Sequence, residues 1–585
     1  MSKKKKRDQA YLSRRTVLKG LGATTAVATA SQVAPTPAQA QEDEYDGPAM
    51  RSPKTKTTQR QAPQSTPSLA VIALNRMGFG PRPGDVASFN ALGNNDNARL
   101  QAYVDQQLNP DSIDDSAFEA MVAAEGFATI DKSLNDLWVD HYLNYVNSRP
   151  PEYTNSTWSW RNISIDDAER LTFDRALHSK RQLQEVLADF WHNHFNVYGH
   201  DFTIRTIFMH YDREVIRKNM LGNFRQMLED VAKSTAMLYY LDNRSNSGGT
   251  PNENYARELF ELHTMGAENY LGTLPQASVP TDSNGLPIAY VDDDVYGATT
   301  CFTGWQVDTS TGEFFYDSSD HFPNQKIVFG TVIPANQAPL KDGQDVLDML
   351  ASHPGTARYV CRKLCRRLIS DNPSESTVQA AADVFLAQKD AADQLKQVVR
   401  VILLSDEFKT TWGEKIKRPF EAIVSGLRGI GSDYWISRYP FSNSESDLHG
   451  SFFSSYDDIG QCLFNWQAPT GYPDTRDDWN GTVSLLQRWR MFNWMFDWWD
   501  GSQFVIDVVA MTPTTNPTAN ALVDYWVNRI LNRSMDAADR EQIVDFMAQG
   551  RNPDFDLPLE TDVDTQDRVQ MMVSLILNSP DFQWR

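Results

Sequence analysis

The chain of 585 residues is several times longer than the ~100–150 residues of a typical domain, so more than one packed region is expected. Hydrophobic residues make up 41% and charged residues 22% of it, a globular composition that excludes collagen-like, coiled-coil and wholly disordered proteins. With 55 basic and 76 acidic residues the net charge is -21, and because such a surface repels phosphate backbones we expect no nucleic-acid partner.

Residues 1–40 have the pattern of an export signal. Lysines at positions 3 to 6 precede the pair Arg14 and Arg15, a short apolar run follows, and an Ala-Gln-Ala sequence at 38–40 supplies a cleavage site. This pattern predicts a twin-arginine signal peptide and a periplasmic or extracellular protein. A membrane anchor is the alternative, but Lys19 interrupts the run, and no later stretch reaches the ~20 apolar residues of a span. We therefore expect no transmembrane segment in the mature chain.

Residues 41–66 contain almost no apolar side chains and are predicted to form a disordered linker. The remaining chain is divided into an N-terminal helical region, 67–340, with a candidate polar site and a β insertion, and a C-terminal helical region, 341–585, with a tryptophan-rich segment. Four cysteines are too few for a disulfide scaffold in an exported protein.

Apolar residues recur every three to four positions along most of this remaining chain, which predicts helices. One apolar face starts at Leu183 and leads to His194, and a second runs from Ile216 to Val231. Between residues 301 and 330, short segments separated by turn residues predict strands instead. The predicted fold is therefore mainly α, a multi-helix globular protein with a small β insertion around residues 301–330.

The first polar candidate is the pair His192 and His194, inside a Phe-Trp-His-Asn-His-Phe block. Residues two apart project to the same side only from extended backbone, and in an uninterrupted helix they lie about 200° apart and cannot share a metal. The alternative is that His194, which continues an apolar face, is a hydrogen-bonded core residue. Any ion bound here would have nitrogen and oxygen ligands, which suit zinc, iron or manganese.

The second candidate is the predicted helix that ends near His263. Winding it at about 100° per residue places Glu258, Glu261 and Arg257 on one arc, where Arg257 and Glu261 have the spacing of an ion pair. The two carboxylates are three residues apart and could share a metal or a proton. His263 lies across the helix and could join them only from its last turn. The alternative is an ordinary solvated helix face.

Two further groups are candidates for substrate contact. Arg362 and Arg366 lie on one line of a basic helix, and their guanidinium groups suit an anionic ligand or a sugar acid; the alternative is pairing with carboxylates of the same chain. Trp466 and Tyr472 belong to a loop rich in proline and glycine, from which their rings could stack on a flat ligand.

Taken together, these blocks resemble the bacterial exported family named "domain of unknown function 1800". The resemblance covers roughly residues 70–585 and includes Leu-Asn-Arg-Met-Gly-Phe-Gly-Pro at 74–81, the histidine block at 190–195, Tyr-Leu-Asp-Asn at 240–243, Asn-Glu-Asn-Tyr-Ala-Arg-Glu at 252–258, Phe-Thr-Gly-Trp at 302–305, His-Pro at 353–354 and Gly-Tyr-Pro at 471–473. It implies an exported, largely helical protein, often encoded beside a second exported family, and no settled activity. Its motifs map onto His192, His194, Asn254, Arg257, Glu258 and His263. Many relatives have an arginine where this chain has Thr300.

The sequence supports two alternative functions. In the first, a metal-dependent hydrolase binds a divalent ion (zinc, iron or manganese) that activates water against an extracellular polymer, a glycan or another anionic chain. Its catalytic residues would be Glu258, Arg257 and Glu261, its metal ligands His192, His194 and His263, and its substrate contacts Trp466, Tyr472, Arg362 and Arg366. In the second, the protein is a non-catalytic envelope scaffold or glycan-binding protein that works with a co-exported protein partner.

Overall fold

The computed structural model describes residues 66–147, 157–436, 448–497 and 506–585. The predicted signal peptide and all but the last residue of the predicted linker lie outside these ranges. The described part is built from helices with two small antiparallel sheets. The predicted mainly α fold with a small β insertion is therefore confirmed.

The helices follow one another through short connections. Up to residue 301 their bounds are Leu69–Arg76, Asp85–Asn90, Asp96–Gln107, Ser116–Glu125, Leu134–Leu137, Asn144–Asn147, Thr157–His178, Gln182–His194, Ile204–His210, Phe224–Lys233, Thr235–Tyr240, Asn254–Glu258 and Asp292–Cys301. Beyond the β insertion they are Lys341–Ala351, Pro354–Leu368, Glu375–Ala387, Gln394–Leu404, Asp406–Thr410, Pro419–Ile430, Leu448–Asp457, Arg476–Trp479, Thr482–Asp497, Ala519–Leu531, Ala537–Ala548, Val563–Leu577 and Pro580–Gln583.

Wider and tighter turns supplement these helices. Stretches of π-helix occupy Trp138–Leu143, Tyr211–Arg217 and Leu259–His263, and 3₁₀ turns occupy Pro110–Ser112, Asn243–Ser245, Ala267–Asn269 and Gln276–Ser278. Each of the three π-helical stretches continues directly from an α-helix. Single π-turns inside helices are often associated with functional sites. The one at Leu259–His263 contains the candidate site residues Glu261 and His263.

Local sequence explains where the helices start and stop. Pro354 occupies the first turn of Pro354–Leu368, where its missing N–H is no loss, and the His353 side chain accepts a hydrogen bond from the Gly355 N–H. The predicted continuous face from Ile216 to Val231 is instead divided in two. The Asn223 side chain accepts from the Gln226 N–H and starts a new helix there.

The β insertion consists of two hairpins. Strand β1 (Trp305–Val307) pairs with β2 (Phe314–Tyr316), and β3 (Lys326–Val328) pairs with β4 (Thr331–Ile333), just beyond the predicted end of the insertion. The helix Asp292–Cys301 packs directly on β3. Gly297 permits this contact, since a Cβ added there would lie 2.1 Å from the carbonyl oxygen of Ile327.

A continuous hydrophobic core extends from Ala70 to Phe582 and therefore includes side chains from both predicted regions. Cys361 and Cys365 are fully buried in it as free thiols, as expected for apolar core residues. The boundary between residues 340 and 341 stays a prediction. In the described ranges, none of the helices is both long and apolar enough to cross a bilayer.

Candidate functional site

The helix Gln182–His194, called the histidine helix below, is uninterrupted through both predicted metal ligands. His192 and His194 consequently project to different sides. The Nε2 atom of His192 lies 2.8 Å from Oδ1 of Asp212. This imidazole is therefore held in a buried ion-pair network.

Asp212 is the centre of that network. Its carboxylate accepts from Nε of Arg217 at 2.9 Å and from Nη1 of Arg175 at 3.3 Å, while Arg217 also reaches Glu185 at 2.9 Å. Burial alone would raise the pKa of Asp212, but Arg217, His192 and Arg175 together hold it far below its usual value. This arrangement stabilises the fold and leaves the imidazole of His192 occupied.

His194 lies on the opposite side, against His263. Its Nε2 donates to the main-chain carbonyl of His263 at 3.1 Å, and the two ring centroids are 6.3 Å apart. Both side chains are buried, and burial lowers the pKa of both, that of His263 to about 3, so both are neutral near pH 7. Nδ1 of His194 and both ring nitrogens of His263 have no hydrogen-bond partner in the described part of the chain.

The predicted three-histidine metal centre is not supported by this arrangement. The helical backbone directs His192 toward Asp212 and away from the other two imidazoles. Moreover, the described residues contain no group of three or more His, Cys, Asp or Glu side chains that could hold a metal ion.

The second predicted cluster lies on the helix Asn254–Glu258 and the π-turn Leu259–His263, together called the carboxyl helix. Arg257 donates to Glu253 at 3.3 Å and to Asp292 at 3.2 Å. The expected ion pair between Arg257 and Glu261 is not formed. The π-turn widens the helix between them, and the guanidinium group of Arg257 pairs with Asp292 instead. Arg257 therefore anchors the helix to its neighbour.

Glu258 and Glu261 differ from Arg257 in this respect. Both are half-buried, and neither carboxylate makes a hydrogen bond or an ion pair with any residue that the structure describes. Burial, and secondarily the negative charge of Glu261, raises the pKa of Glu258. Glu258 therefore retains its proton more readily than an ordinary glutamate, and Glu261 supplies a second carboxyl group close to it.

Residues 465–474, called the clamp loop, are held by the histidine helix. Asn193 Nδ2 donates to the Tyr472 carbonyl at 2.6 Å, and the Tyr472 N–H donates to Asn193 Oδ1 at 2.6 Å. Asn196 Nδ2 donates to the carbonyls of Trp466 at 3.1 Å and Ala468 at 2.8 Å. Asn193 and Asn196 therefore position this loop. No sequence pattern indicated this role.

The clamp loop is linked to the carboxyl helix through Tyr240 and its neighbour Leu241, whose carbonyl accepts from Asn254. Its aromatic residues Trp466 and Tyr472 have ring centroids 4.7 Å apart. The Tyr240 hydroxyl donates to the Gln467 carbonyl at 2.7 Å, while burial and the charge of Glu258 raise the pKa of Tyr240. Tyr240 therefore connects the two features. It was visible in the sequence only as part of a motif, with no pattern indicating this role.

The two arginines predicted to contact substrate lie on the helix Pro354–Leu368, called the arginine helix. Arg362 donates to Glu268 at 3.0 Å and to Glu375 at 3.1 Å, and Arg366 donates to the Asp371 carbonyl at 3.1 Å. The alternative of pairing with carboxylates therefore describes Arg362, whereas Arg366 is bound to a main-chain carbonyl. A cavity of about 370 Å³ beside this helix is lined in part by Arg362, but the ion pairs already occupy its guanidinium.

The chain belongs to the family described as "Protein of unknown function (DUF1800)", whose family model matches residues 72–584. No curated protein and no solved structure matches the chain.

Proposed function

We propose that this protein, a member of a family without an assigned activity, is an exported hydrolase that acts on an extracellular polymer through Glu258 and Glu261. The observation that carries the proposal is the half-buried carboxyl pair without hydrogen-bond or ion-pair partners among the described residues. Two carboxyl groups in one site divide into an acid and a base, because like charges at short range disfavour double ionisation.

Each carboxyl group has a defined task in the proposed reaction. Glu258, whose pKa is raised, donates its proton to the oxygen of the leaving group. Glu261 accepts a proton from the water that attacks the reacting carbon. The clamp loop supplies Trp466 as an aromatic surface on which a sugar ring could stack. Export rests on the pattern of residues 1–40.

A divalent ion at the two carboxylates stays a prediction, separate from the acid and base roles. Elemental analysis of protein recovered after native export tests it. Zinc, iron or manganese in a 1:1 ratio to wild-type protein, lost in Glu261→Gln, would favour metal-assisted activation of water.

Release of new reducing ends from a panel of neutral and uronate-containing polysaccharides tests the proposal. We expect wild-type protein to cleave at least one polymer and Glu258→Gln and Glu261→Gln to be slower by about 10²- to 10⁴-fold. Glu253→Gln is the matched control, because Glu253 directly precedes the same helix but is exposed and paired with Arg257. Equal rates for Glu258→Gln and Glu253→Gln would contradict the proposal.

A non-catalytic scaffold or glycan-binding protein that works with a co-exported partner is the second candidate. It is favoured by the internal pairing of His192, Arg257 and Arg362, which leaves these predicted site residues with a structural role. Under this alternative, wild-type protein would bind a polymer from the panel and release no fragments.

A further inference from the structure

Lys363 is a half-buried lysine on the arginine helix. It makes no hydrogen bond or ion pair with the residues that the structure describes, and the centroid of the Tyr359 ring lies 5.4 Å from Nζ. The same Tyr359 ring has its centroid 6.4 Å from that of His194, which in turn contacts His263, so the three side chains surround one tyrosine. Burial, opposed by the charge of Asp474 and assisted by that of Arg366, lowers the pKa of Lys363 to about 8. The charge of Lys363 in turn contributes to lowering the pKa of His194 and of His263.

The three side chains have hydrogen-bonding groups that are not satisfied by the described chain. His194 donates through Nε2, so its Nδ1 carries a lone pair and can only accept. Neutral His263 has one donor and one acceptor, both buried and without a partner. The ammonium group of Lys363 adds three donors. Because buried polar groups are nearly always hydrogen-bonded, the three buried imidazole nitrogens indicate a bound species.

The charge and the donor pattern define the chemistry of that species. A metal ion would accept the imidazole lone pairs, but the ammonium group of Lys363 would repel it, and the described residues offer no group of three ligands. An oxoanion fits better, because its charged oxygens accept from Lys363 and from the N–H of His263. Its O–H group, where it has one, donates to Nδ1 of His194.

We infer that His194, His263 and Lys363 form a binding site for a small oxoanion that carries an O–H group, the class that includes hydrogenphosphate and hydroxy acids such as sugar acids. Lys363 is the partly exposed member of the three, so the ligand enters along its side chain. The site does not require Glu258 and Glu261 to be catalytic, since binding at it is measured without turnover.

Titration calorimetry with the purified protein at pH 7 tests the inference. Inorganic phosphate and glycolate are the two probes, and acetate is the control that has a carboxylate but no O–H group. We expect phosphate or glycolate to bind in a 1:1 ratio, at least tenfold more tightly than acetate. Lys363→Met should weaken that binding at least tenfold, whereas Lys409→Met, which removes a lysine paired with Asp406 elsewhere, should leave it unchanged.

Three results would overturn the inference: no binding of phosphate or glycolate to wild-type protein, equal binding of acetate, or unchanged affinity in Lys363→Met. If Lys363→Met does not fold, the pH dependence of the wild-type affinity replaces it. Affinity should then fall above about pH 8, where Lys363 loses its proton, and an affinity that stays constant from pH 7 to pH 9 would overturn the inference.

Discussion

His263 is a residue whose charge state is decided by burial, and this has a measurable effect on stability. The unfolded chain binds a proton at a histidine near pH 6.5, whereas folded His263 stays neutral down to about pH 3. Between these values the unfolded state binds more protons, so the free energy of unfolding falls as the pH falls, by up to about 1.4 kcal/mol per pH unit for this group.

Urea denaturation at pH 4.5, 5.5 and 6.5 measures this effect. The slope of stability against pH should be smaller in His263→Leu than in wild-type protein. His200 is the control of opposite sign. Although burial opposes it, the contact with Glu169 raises the pKa of His200, so its contribution is present at low pH and is lost as the pH rises through its folded pKa. Parallel slopes for wild type and His263→Leu would contradict the neutral, buried state of His263.

Asn193 permits a second test at the residue scale. Asn193→Ala removes both hydrogen bonds to Tyr472 and should lower the free energy of unfolding by about 2–4 kcal/mol, since two polar groups of the clamp loop lose partners. Asn193→Asp keeps the acceptor for the Tyr472 N–H and should cost less. Chemical denaturation measures both. Equal stability of wild type and Asn193→Ala would show that this side chain does not hold the clamp loop.

The carboxyl pair could be proposed from spacing because residues three apart share a helix face whatever the surroundings. Partners could not be proposed in the same way. Asp212 is 20 residues from His192, and Asp292 is 35 residues from Arg257, so only the folded chain reveals those contacts. The same holds for Lys363, which the sequence places beside arginines and the fold places against Tyr359, whose ring also lies near His194.

At the scale of elements, the close contact between the helix Asp292–Cys301 and β3 depends on Gly297. A methyl group at this position would lie 2.1 Å from the Ile327 carbonyl oxygen, so Gly297→Ala should force the helix away from the hairpin. We expect a loss of about 1–3 kcal/mol in the free energy of unfolding, as in overpacked cores. Gly481→Ala is the control, because nothing lies within 4 Å of its added Cβ. Similar stability of the two variants would contradict the contact.

Apolar periodicity predicted the helix Gln182–His194 because burial of one face determines where such a helix forms. Apolar periodicity failed where local hydrogen bonds determine the start or the register of a helix. Asn223 caps a new helix inside an apolar pattern that continues through it, and the π-turn at Leu259–His263 changes the register of Glu261 without changing the pattern. Strand β4, Thr331–Ile333, lies just beyond the predicted insertion and is as long as the other three strands.

At the scale of the whole molecule, a buried charge network joins the two predicted regions. Glu421 accepts from Arg367 and, at 2.8 Å, from Arg585, and Arg367 lies 3.2 Å from Asp189 on the histidine helix. Glu421→Gln leaves the buried guanidinium groups without their shared counter-charge. It should lower the free energy of unfolding by about 3–5 kcal/mol, in a single transition if the two regions unfold together.

The partly exposed pair of Asp105 and Arg400, 2.9 Å apart, provides the control for this change. Asp105→Asn should cost less than about 1 kcal/mol, because solvent screens surface ion pairs. Urea denaturation followed by fluorescence and circular dichroism compares the two variants. A loss in Glu421→Gln no larger than that in Asp105→Asn would mean that the network does not hold the two regions together.

Cleavage and binding of one polymer, measured side by side for wild type and Glu258→Gln, separate catalysis by the carboxyl pair from binding alone. We expect both proteins to bind the polymer with similar affinity and only wild type to release fragments at an appreciable rate. A wild-type protein that binds the polymer without cleaving it, or a Glu258→Gln variant that cleaves as fast as wild type, would contradict the proposed catalysis.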